Sequence, residues 1–290
     1  MIQNPKISIL MNCYNGEDYV ADAISSAISQ SYTNWELIFF NNASTDSSKE
    51  IFFSFQDERL KYFERKSTID IAFARNEALA NAEGEWIAIL DVDDVWNSSK
   101  LEFQIQELEE NQSENAKIVF SSCEVFIENK VVNIKQRFSQ NRVLEDLLSL
   151  ELSVPWSSVL IDREIFFSLN GFDTKFPNAH DLDFLIRCSK VHNFLFVNKK
   201  LVSIRYHKNS LSSLNKNNKG DYYFEIISVL QPYLPSNSAI LGIAKMKMSY
   251  LFFLLKKMET LRFFNHLLKI SFKEFLYFPL ILFKKFLKSI

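Results

Sequence analysis

Within the first hundred residues, short apolar runs alternate with stretches of helical period, and three of the runs end in polar loops. Ile7–Met11 leads into Asn12–Gly16, Glu36–Phe40 into Asn41–Asp46, and Trp86–Leu90 into Asp91–Asp94. Between them Val20, Ile24, Ala27 and Ile28 recur on one helical face, and Ile71–Ala82 reads as a helix ended by Gly84. Leu60–Phe63 supplies a further candidate strand. This alternation predicts an α/β fold, a mostly parallel sheet flanked by helices. Such sheets bind ligands at the carboxyl ends of their strands, where all three polar loops fall.

Downstream, Ser98 can cap a helix over 98–110 whose Leu101, Ile105 and Leu108 share a face, strand-like Ile118–Ser122 follows, and another helix starts near Asp181. After Leu211 the chain turns polar and Lys/Asn-rich over Ser212–Asp221, then helical, aromatic and basic. The expected division is an α/β unit over 1–211, with halves 1–100 and 101–211, and a helical C-terminal region over 212–290.

Composition excludes several function classes. Gly16, Gly84, Gly171, Gly220 and Gly242 lie too far apart for a Rossmann dinucleotide fingerprint or a P-loop. A net charge of −2 argues against a nucleic-acid binder. Cys13, Cys123 and Cys188 form no CxxC pair, which suits a reducing compartment and supplies no zinc site. No basic-then-apolar leader opens the chain, and the apolar run Phe275–Phe283 contains Pro279 and falls short of the about 20 residues a span needs. The cytoplasm is the expected address.

Asp91-Val92-Asp93-Asp94 is the sharpest chemical signal. Three carboxylates in four residues after a buried strand repel one another unless water or a cation relieves them. Oxygen ligands of this kind suit Mg²⁺ or Mn²⁺. A plainer role, capping the helix that starts near Ser98, stays open on spacing alone.

The surrounding motifs resemble family 2 glycosyltransferases of the GT-A fold. Ile7-Ser-Ile-Leu-Met-Asn-Cys-Tyr14-Asn15-Gly16 is similar to that family's opening strand and Tyr-Asn pair, and Asn41-Asn-Ala-Ser-Thr-Asp46 resembles its DDGSTD loop. Ala74-Arg75-Asn76-Glu77-Ala78 and Gly84-Glu-Trp-Ile-Ala-Ile-Leu-Asp91-Val-Asp93-Asp94 resemble its ARNxG and GEYIAFLDxDD segments. Thinner matches follow at Gly171-Phe-Asp173, His180-Asp181-Leu-Asp183-Phe-Leu-Ile-Arg187 and Arg205-Tyr-His207-Lys-Asn-Ser210-Leu-Ser212.

The resemblance implies an inverting, metal-dependent and, with no QxxRW element, non-processive transferase. It would move a sugar from a nucleotide sugar, a UDP-sugar foremost, to a glycan or lipid-linked acceptor in bacterial cell-surface polysaccharide synthesis. Residues 1–100 become the donor half and 101–211 the acceptor half. Tyr14, Asn15, Asn41 and Asn42 would hold the base, and Arg75 would lie near the diphosphate or ribose. Asp91 and Asp93 form the DxD pair, with Asp93 or Asp94, and His207, on Mn²⁺ or Mg²⁺. Asp181 matches the general base, at a helix N-terminus that favours its ionised form. From the residues alone, Arg75 can equally be a surface helix residue, Asp181 a helix cap, His207 a loop histidine and Tyr14 a packed aromatic. Asn41-Asn42 departs from the family's Asp in that loop, and His180 stands where its Glu precedes the base.

Two rival readings are a catalytically weak partner-binding module of the same fold and a sugar-1-phosphate nucleotidyltransferase. From Ser236 to Ile290, ten Lys/Arg face only Glu259 and Glu274. Leu261, Phe264, Leu268, Phe272, Phe275 and Leu276 recur there at helical spacing, with Lys269 and Lys273 between them. That pattern fits a helix lying on an anionic membrane surface, at the inner face of the cell membrane. It fits equally a helical subdomain packed on the core or on a second subunit.

Overall fold

The structure, a computed structural model, describes residues 4–112, 116–127, 130–133, 138–208, 210, 219–256, 266, 269–275, 277, 278 and 281. β1 (Ile7–Cys13), β2 (Trp35–Asn41), β3 (Leu60–Glu64) and β4 (Trp86–Ile89) form its parallel part, in the order β3-β2-β1-β4. β2 and β4 are buried along their whole length, being covered on both faces, which is why they read as continuous apolar runs. The covering helices include α1 (Val20–Ile28), α2 (Ser48–Phe53) and α3 (Ile71–Leu79).

Beyond β4 the sheet becomes mixed. The two-residue β5 (Val95–Trp96) and helix α4 (Lys100–Glu110) lead into β6 (Ala116–Ile127) and β7 (Lys130–Asn133). β6 and β7 pair antiparallel. The connection between them is far too short for a parallel crossover. After α5 (Val143–Leu148), β8 (Val159–Asp162) runs antiparallel to both β4 and β6. Following α6 (Arg163–Ser168) and α7 (His180–Ser189), β9 (Asn193–Tyr206) lies parallel to β6 and closes antiparallel onto β5. The expected α/β sheet is therefore present, with its parallel character confined to β1–β4 and the β6–β9 pair.

Alternation along β1 divides the core. Ile7, Ile9 and Met11 face α1, α2 and α4 with Ile24, Leu37, Phe39 and Leu101. Leu10 faces the opposite layer with Ile38, Ala74, Ala78, Phe166, Phe172 and Phe184, which α3, α6 and α7 contribute in part. Each fully buried Leu, Ile or Phe contributes about 1.5–3 kcal/mol. Ile226, Val229 and Leu230 of helix Lys219–Leu230 and Ile243 of helix Asn237–Lys256 join this second layer. Glu225 accepts from the Asn178 main chain and side chain at 2.7 and 2.6 Å. The division expected at residue 211 thus does not coincide with a break in the core.

Of the basic tail, Tyr277, Phe278 and Ile281 pack with Ala244 and Met248 of helix Asn237–Lys256, and Lys247 pairs with Glu274 at 2.9 Å. Packing on the protein's own helices is one of the two readings left open for this region. Leu261, Phe264, Leu268, Leu276 and Ser212 lie outside the described residues. Among the described residues no helix is long and apolar enough to cross a membrane.

At the amino ends of the strands, buried Glu36 accepts from Ser8 at 2.6 Å and pairs with Lys6 and Lys61 at 2.9 and 2.7 Å. Hydrogen bonds to Lys61, Ser8 and Lys6 outweigh the cost of its burial and push its carboxyl down to about 2. Gly84 closes this end, donating its N–H to Ser8 Oγ at 2.8 Å. A Cβ there would stand 2.5 Å from the Ser8 nitrogen and 2.8 Å from the Ile7 carbonyl carbon, both backbone atoms. Gly84→Ala is expected to cost about 1–3 kcal/mol, as overpacking does. A lowered urea midpoint with an unchanged m-value checks it; an unshifted midpoint refutes it.

Candidate active site

The loops after β1 and β2 are laced together by hydrogen bonds. The Asn15 N–H donates to Ser44 Oγ at 3.0 Å, its side-chain oxygen accepts from the Thr45 N–H at 2.8 Å, and the Gly16 N–H donates to Ser48 Oγ at 2.9 Å. Asn15 and Ala43 both adopt left-handed backbone, φ 51° and 61°, which aims these turns. Asn41 spends its amide internally, accepting from the Ser44 N–H at 2.8 Å and donating to Tyr62 Oη at 2.9 Å. Asn42 does the same with the Ile69 main chain, accepting at 3.1 Å and donating at 2.8 Å. Both residues are buried. Of the four expected base contacts, Asn15 and Tyr14 are exposed, the Tyr14 side chain 56% accessible.

Arg75 lies on α3, which packs over β1 and β2 through Ala74 and Ala78. It is 6% exposed, so it is not a surface helix residue. Its Nη2 donates to Asp91 Oδ1 at 2.7 Å, and its Nη1 lies 2.7 Å from His180 Nε2. The next residue, Asn76, grips the Gly171-Phe172 turn: its side chain accepts from the Phe172 N–H and donates to the Phe172 carbonyl, each at 2.9 Å. Gly171 takes φ 65° there, a value glycine adopts freely, and a Cβ would meet Asn76 Oδ1 at 2.6 Å.

The acidic triplet divides into three environments. Asp91 keeps Arg75 as partner and is 39% exposed along its side chain. Asp93 Oδ2 accepts from His207 Nε2 at 3.0 Å, and His207 packs against Tyr19 at a tilt of 39°, with centroids 4.5 Å apart. Burial, with the charge of Asp91 beside it, raises the Asp93 carboxyl. Asp94, expected among the metal ligands, is instead buried and spoken for. Its two oxygens accept from Ser157 Oγ and from the Arg205 N–H. Ser157 Oγ accepts in turn from the Asp91 N–H at 3.1 Å, so Asp94 braces the loop that presents Asp91.

Asp93 and His207 meet at 3.0 Å, and carboxylate oxygen with imidazole is a donor pair that suits Mg²⁺ or Mn²⁺. The Asp91 charge beside Asp93 is a repulsion that a cation would relieve. Among the described residues no group of three or more His, Cys, Asp or Glu side chains stands ready to hold a metal ion. A cation taking one or two carboxylates and completing its shell with phosphate oxygens and water needs none.

Asp181 opens α7 and accepts from the Leu182 N–H at 2.7 Å. Burial raises its carboxyl, outweighing the main-chain hydrogen bond and the nearby Arg75 charge that would lower it. Desolvation therefore wins over the helix terminus that was expected to hold it ionised. Asp183 points elsewhere: it pairs with Arg187 at 2.7 Å, whose guanidinium also donates to the carbonyls of Leu169 and Gly171 at 2.6 and 2.9 Å.

Two site residues escaped the sequence reading. Asn12, which faces Phe40 across the β1–β2 register, has both amide atoms buried and without hydrogen-bond partners. An Asn ending an otherwise apolar strand was the available signal. Ser157, tying Asp94 to Asp91, left none.

A family model described as glycosyl transferase family 2 matches residues 8–166. The chain is 30% identical over 214 residues to the UDP-Glc:alpha-D-GlcNAc-diphosphoundecaprenol beta-1,3-glucosyltransferase WfgD of Escherichia coli, covering 73% of this chain and 80% of that one. It is 36% identical over 104 residues to the putative teichuronic acid biosynthesis glycosyltransferase TuaG of Bacillus subtilis, covering 35% and 41%. Among solved structures, S. aureus TarS 1-349 in complex with UDP-GlcNAc superposes with a TM-score of 0.66 at 18% identity, over 93% of this chain and 77% of that one. The mannosyltransferase PcManGT of Pyrobaculum calidifontis, in complex with GDP-Man and Mn²⁺, superposes with 0.63 at 17% identity, over 96% and 79%. These likenesses show that the fold is of the GT-A type.

The raised Asp181 carboxyl makes a stability prediction. An acid whose native pKa exceeds its unfolded value binds more protons in the native state, so stability falls as pH rises between the two values. Asp181→Asn removes that loss. The variant is expected to be more stable than the parent at pH 7, with the gain shrinking as pH falls toward the ordinary Asp range of about 3.9. Melting curves from pH 4 to 8 check it, and a variant destabilised at pH 7 would contradict the burial argument.

Proposed function

We propose that this chain, which belongs to glycosyl transferase family 2, moves one sugar from a UDP-sugar to a hydroxyl of a glycan or lipid-linked acceptor, inverting the anomeric carbon. The observation that carries this reading is the meeting of Arg75, Asp91, Asp93 and Asp181 at the carboxyl end of the parallel strands, close enough that their charges act on one another. TarS in complex with UDP-GlcNAc, and WfgD with its UDP-Glc donor and diphosphoundecaprenol acceptor, support the choice of donor and acceptor class.

In this reading the Tyr14 ring stacks on the base and the Asn12 amide, able both to donate and to accept, meets a ribose hydroxyl or the base edge. Arg75 faces the diphosphate with a guanidinium already fixed in orientation. Asp93, with Asp91 and His207, would hold Mn²⁺ or Mg²⁺, which supplies Lewis-acid stabilisation of the departing nucleoside diphosphate. Asp181 takes the proton from the acceptor hydroxyl as its oxygen bonds to the anomeric carbon and the carbon–phosphate-oxygen bond breaks. Burial makes an ionised Asp181 a stronger proton acceptor than a solvated Asp. Asp183 has no part in the chemistry.

Asp181→Asn is expected to leave UDP-sugar binding intact while transfer falls by about 10²- to 10⁴-fold, the range for loss of general-base catalysis. Asp183→Asn should instead lower thermal stability by loosening Arg187, with a much smaller effect on turnover. Asp93→Asn should abolish metal-dependent nucleotide binding. Titration calorimetry with UDP-, GDP- and dTDP-sugars, with and without Mn²⁺, and transfer assays on a lipid-linked acceptor read these outcomes. No donor binding, or equal losses at Asp181 and Asp183, would overturn the assignment. Exposed Lys269 and Lys273 are the described tail residues proposed to meet the anionic membrane carrying such an acceptor. Salt-sensitive sedimentation with anionic vesicles checks that contact, and full-length protein indifferent to them removes it.

A further inference from the structure

His180 stands between the two halves of the site in a chemically determined state. A guanidinium has only donors, so the 2.7 Å approach of Arg75 Nη1 makes His180 Nε2 the acceptor. The ring proton then belongs to Nδ1, which lies 3.0 Å from the Pro177 carbonyl oxygen, a group that can only accept. Both ring nitrogens are thereby committed, and the ring meets Phe172 edge to face with centroids 5.3 Å apart. The residue is 5% exposed. Burial and the Arg75 charge push its pKa down to about 3, so the imidazole stays neutral across physiological pH.

A neutral acceptor does something a carboxylate cannot. Arg75 is buried, with one anionic partner in Asp91. A carboxylate at residue 180 would give it a second and neutralise the guanidinium twice over. It would also place a further buried anion next to Asp181 in sequence. The imidazole fixes the direction of the guanidinium through a hydrogen bond without adding a further carboxylate to Asp91, its ion-pair partner, and the nearby Asp181.

We propose that His180 is a positioning residue that acts through Arg75, orienting the guanidinium as a neutral hydrogen-bond acceptor so that its charge stays available to the diphosphate of the donor. The proposal rests on the reading of the site as a nucleotide-sugar site.

Three variants of the full chain separate this role from packing. His180→Gln can place its side-chain oxygen where Nε2 sits. His180→Phe keeps a ring against Phe172 but offers no acceptor. His180→Glu keeps an acceptor and adds a charge. UDP affinity should hold within about threefold in the Gln variant and fall roughly tenfold or more in the Phe variant, whose buried donor has lost its partner. The Glu variant should also lose UDP affinity while keeping its fold, because its charge competes with the diphosphate for Arg75. A packing role predicts the reverse order, with Phe tolerated and Gln costly. UDP binding equal to the parent in the Phe or the Glu variant, or a Gln variant as weak as Phe, would overturn the proposal.

A second measurement needs no nucleotide. Nitrogen-15 histidine NMR of the unliganded protein, with the His180 signals assigned by their loss in the Gln variant, should show an Nδ1–H tautomer that does not titrate between pH 5 and 8. A titrating ring or the Nε2–H tautomer would overturn it. Should UDP fail to bind the parent while this tautomer is observed, the functional reading fails and the His180–Arg75 geometry stands. Should the parent bind UDP and the variants prove indifferent, only the positioning role fails.

Discussion

Arg75 and Asn76 are neighbours on one helix, and together they hold the two halves of this fold in register. Asn76 clamps the main chain of Phe172, fixing the approach to α7, while Arg75 reaches Asp91 on one side and His180 on the other. The carboxylate after β4 and the carboxylate at the start of α7 come from segments some ninety residues apart. Only a rigid intermediary can keep such groups in one geometry, and α3 supplies it from the centre of the second core layer, where Ala72, Ala74 and Ala78 allow close packing. Buried ionic and amide bonds are costly to break on one side alone, which resists any drift of the halves.

The same economy of partners explains how three carboxylates share four residues. Each is given a different answer to its charge: a guanidinium for Asp91, an imidazole for Asp93, and a hydroxyl with a main-chain N–H for Asp94. Asp94 carries the heaviest burial and its carboxyl lies well above the ordinary range, pushed by desolvation and by Asp91 and Asp93. Because Ser157 and the β9 end bond to it, the acidic loop is tied to the later strands of the sheet at a second point, independent of α3.

The first hundred residues were legible in the sequence because their information is local. Apolar runs give β1, β2 and β4, the helical period gives α1 and α3, and Gly84 falls at the turn where a backbone approaches within 2.8 Å of where its Cβ would be. Residues 101–211 were less so. β8 inserts beside β4 from seventy residues downstream, a pairing no local period announces. The apolar stripe Leu101, Ile105 and Leu108 of α4 is buried as its spacing predicts, but nothing in that pattern announces that Lys100 beside it is fully buried too, over the Trp96 ring and bonded to Gln104 at 2.8 Å. Roles of polar site residues depended on partners equally distant in the chain. The bonds from Ser157 and Arg205 to Asp94, and the desolvation that raises the carboxyl of Asp181, the expected general base, come from packing that no local pattern announces.

Asn41-Asn42 shows how a motif can be kept while its chemistry moves. Had these been carboxylates, the loop would carry two anions beside β3, and each could only accept. As amides, each both donates and accepts, which is what Asn41 does between Ser44 and Tyr62 and what Asn42 does with both main-chain groups of Ile69. That bidentate link pins the segment leading from β3 into α3, and so sets where Arg75 begins. The polar capacity left over on this side of the sheet sits one strand in, on Asn12, whose amide is buried with no partner of its own. A buried, unpaired amide costs about 1–3 kcal/mol, a cost that a bound nucleotide offering a matched donor and acceptor would relieve. In the proposed reading, the amide free to meet a nucleotide is that of Asn12 at the end of the first strand, while the second loop belongs to the frame that aims the guanidinium.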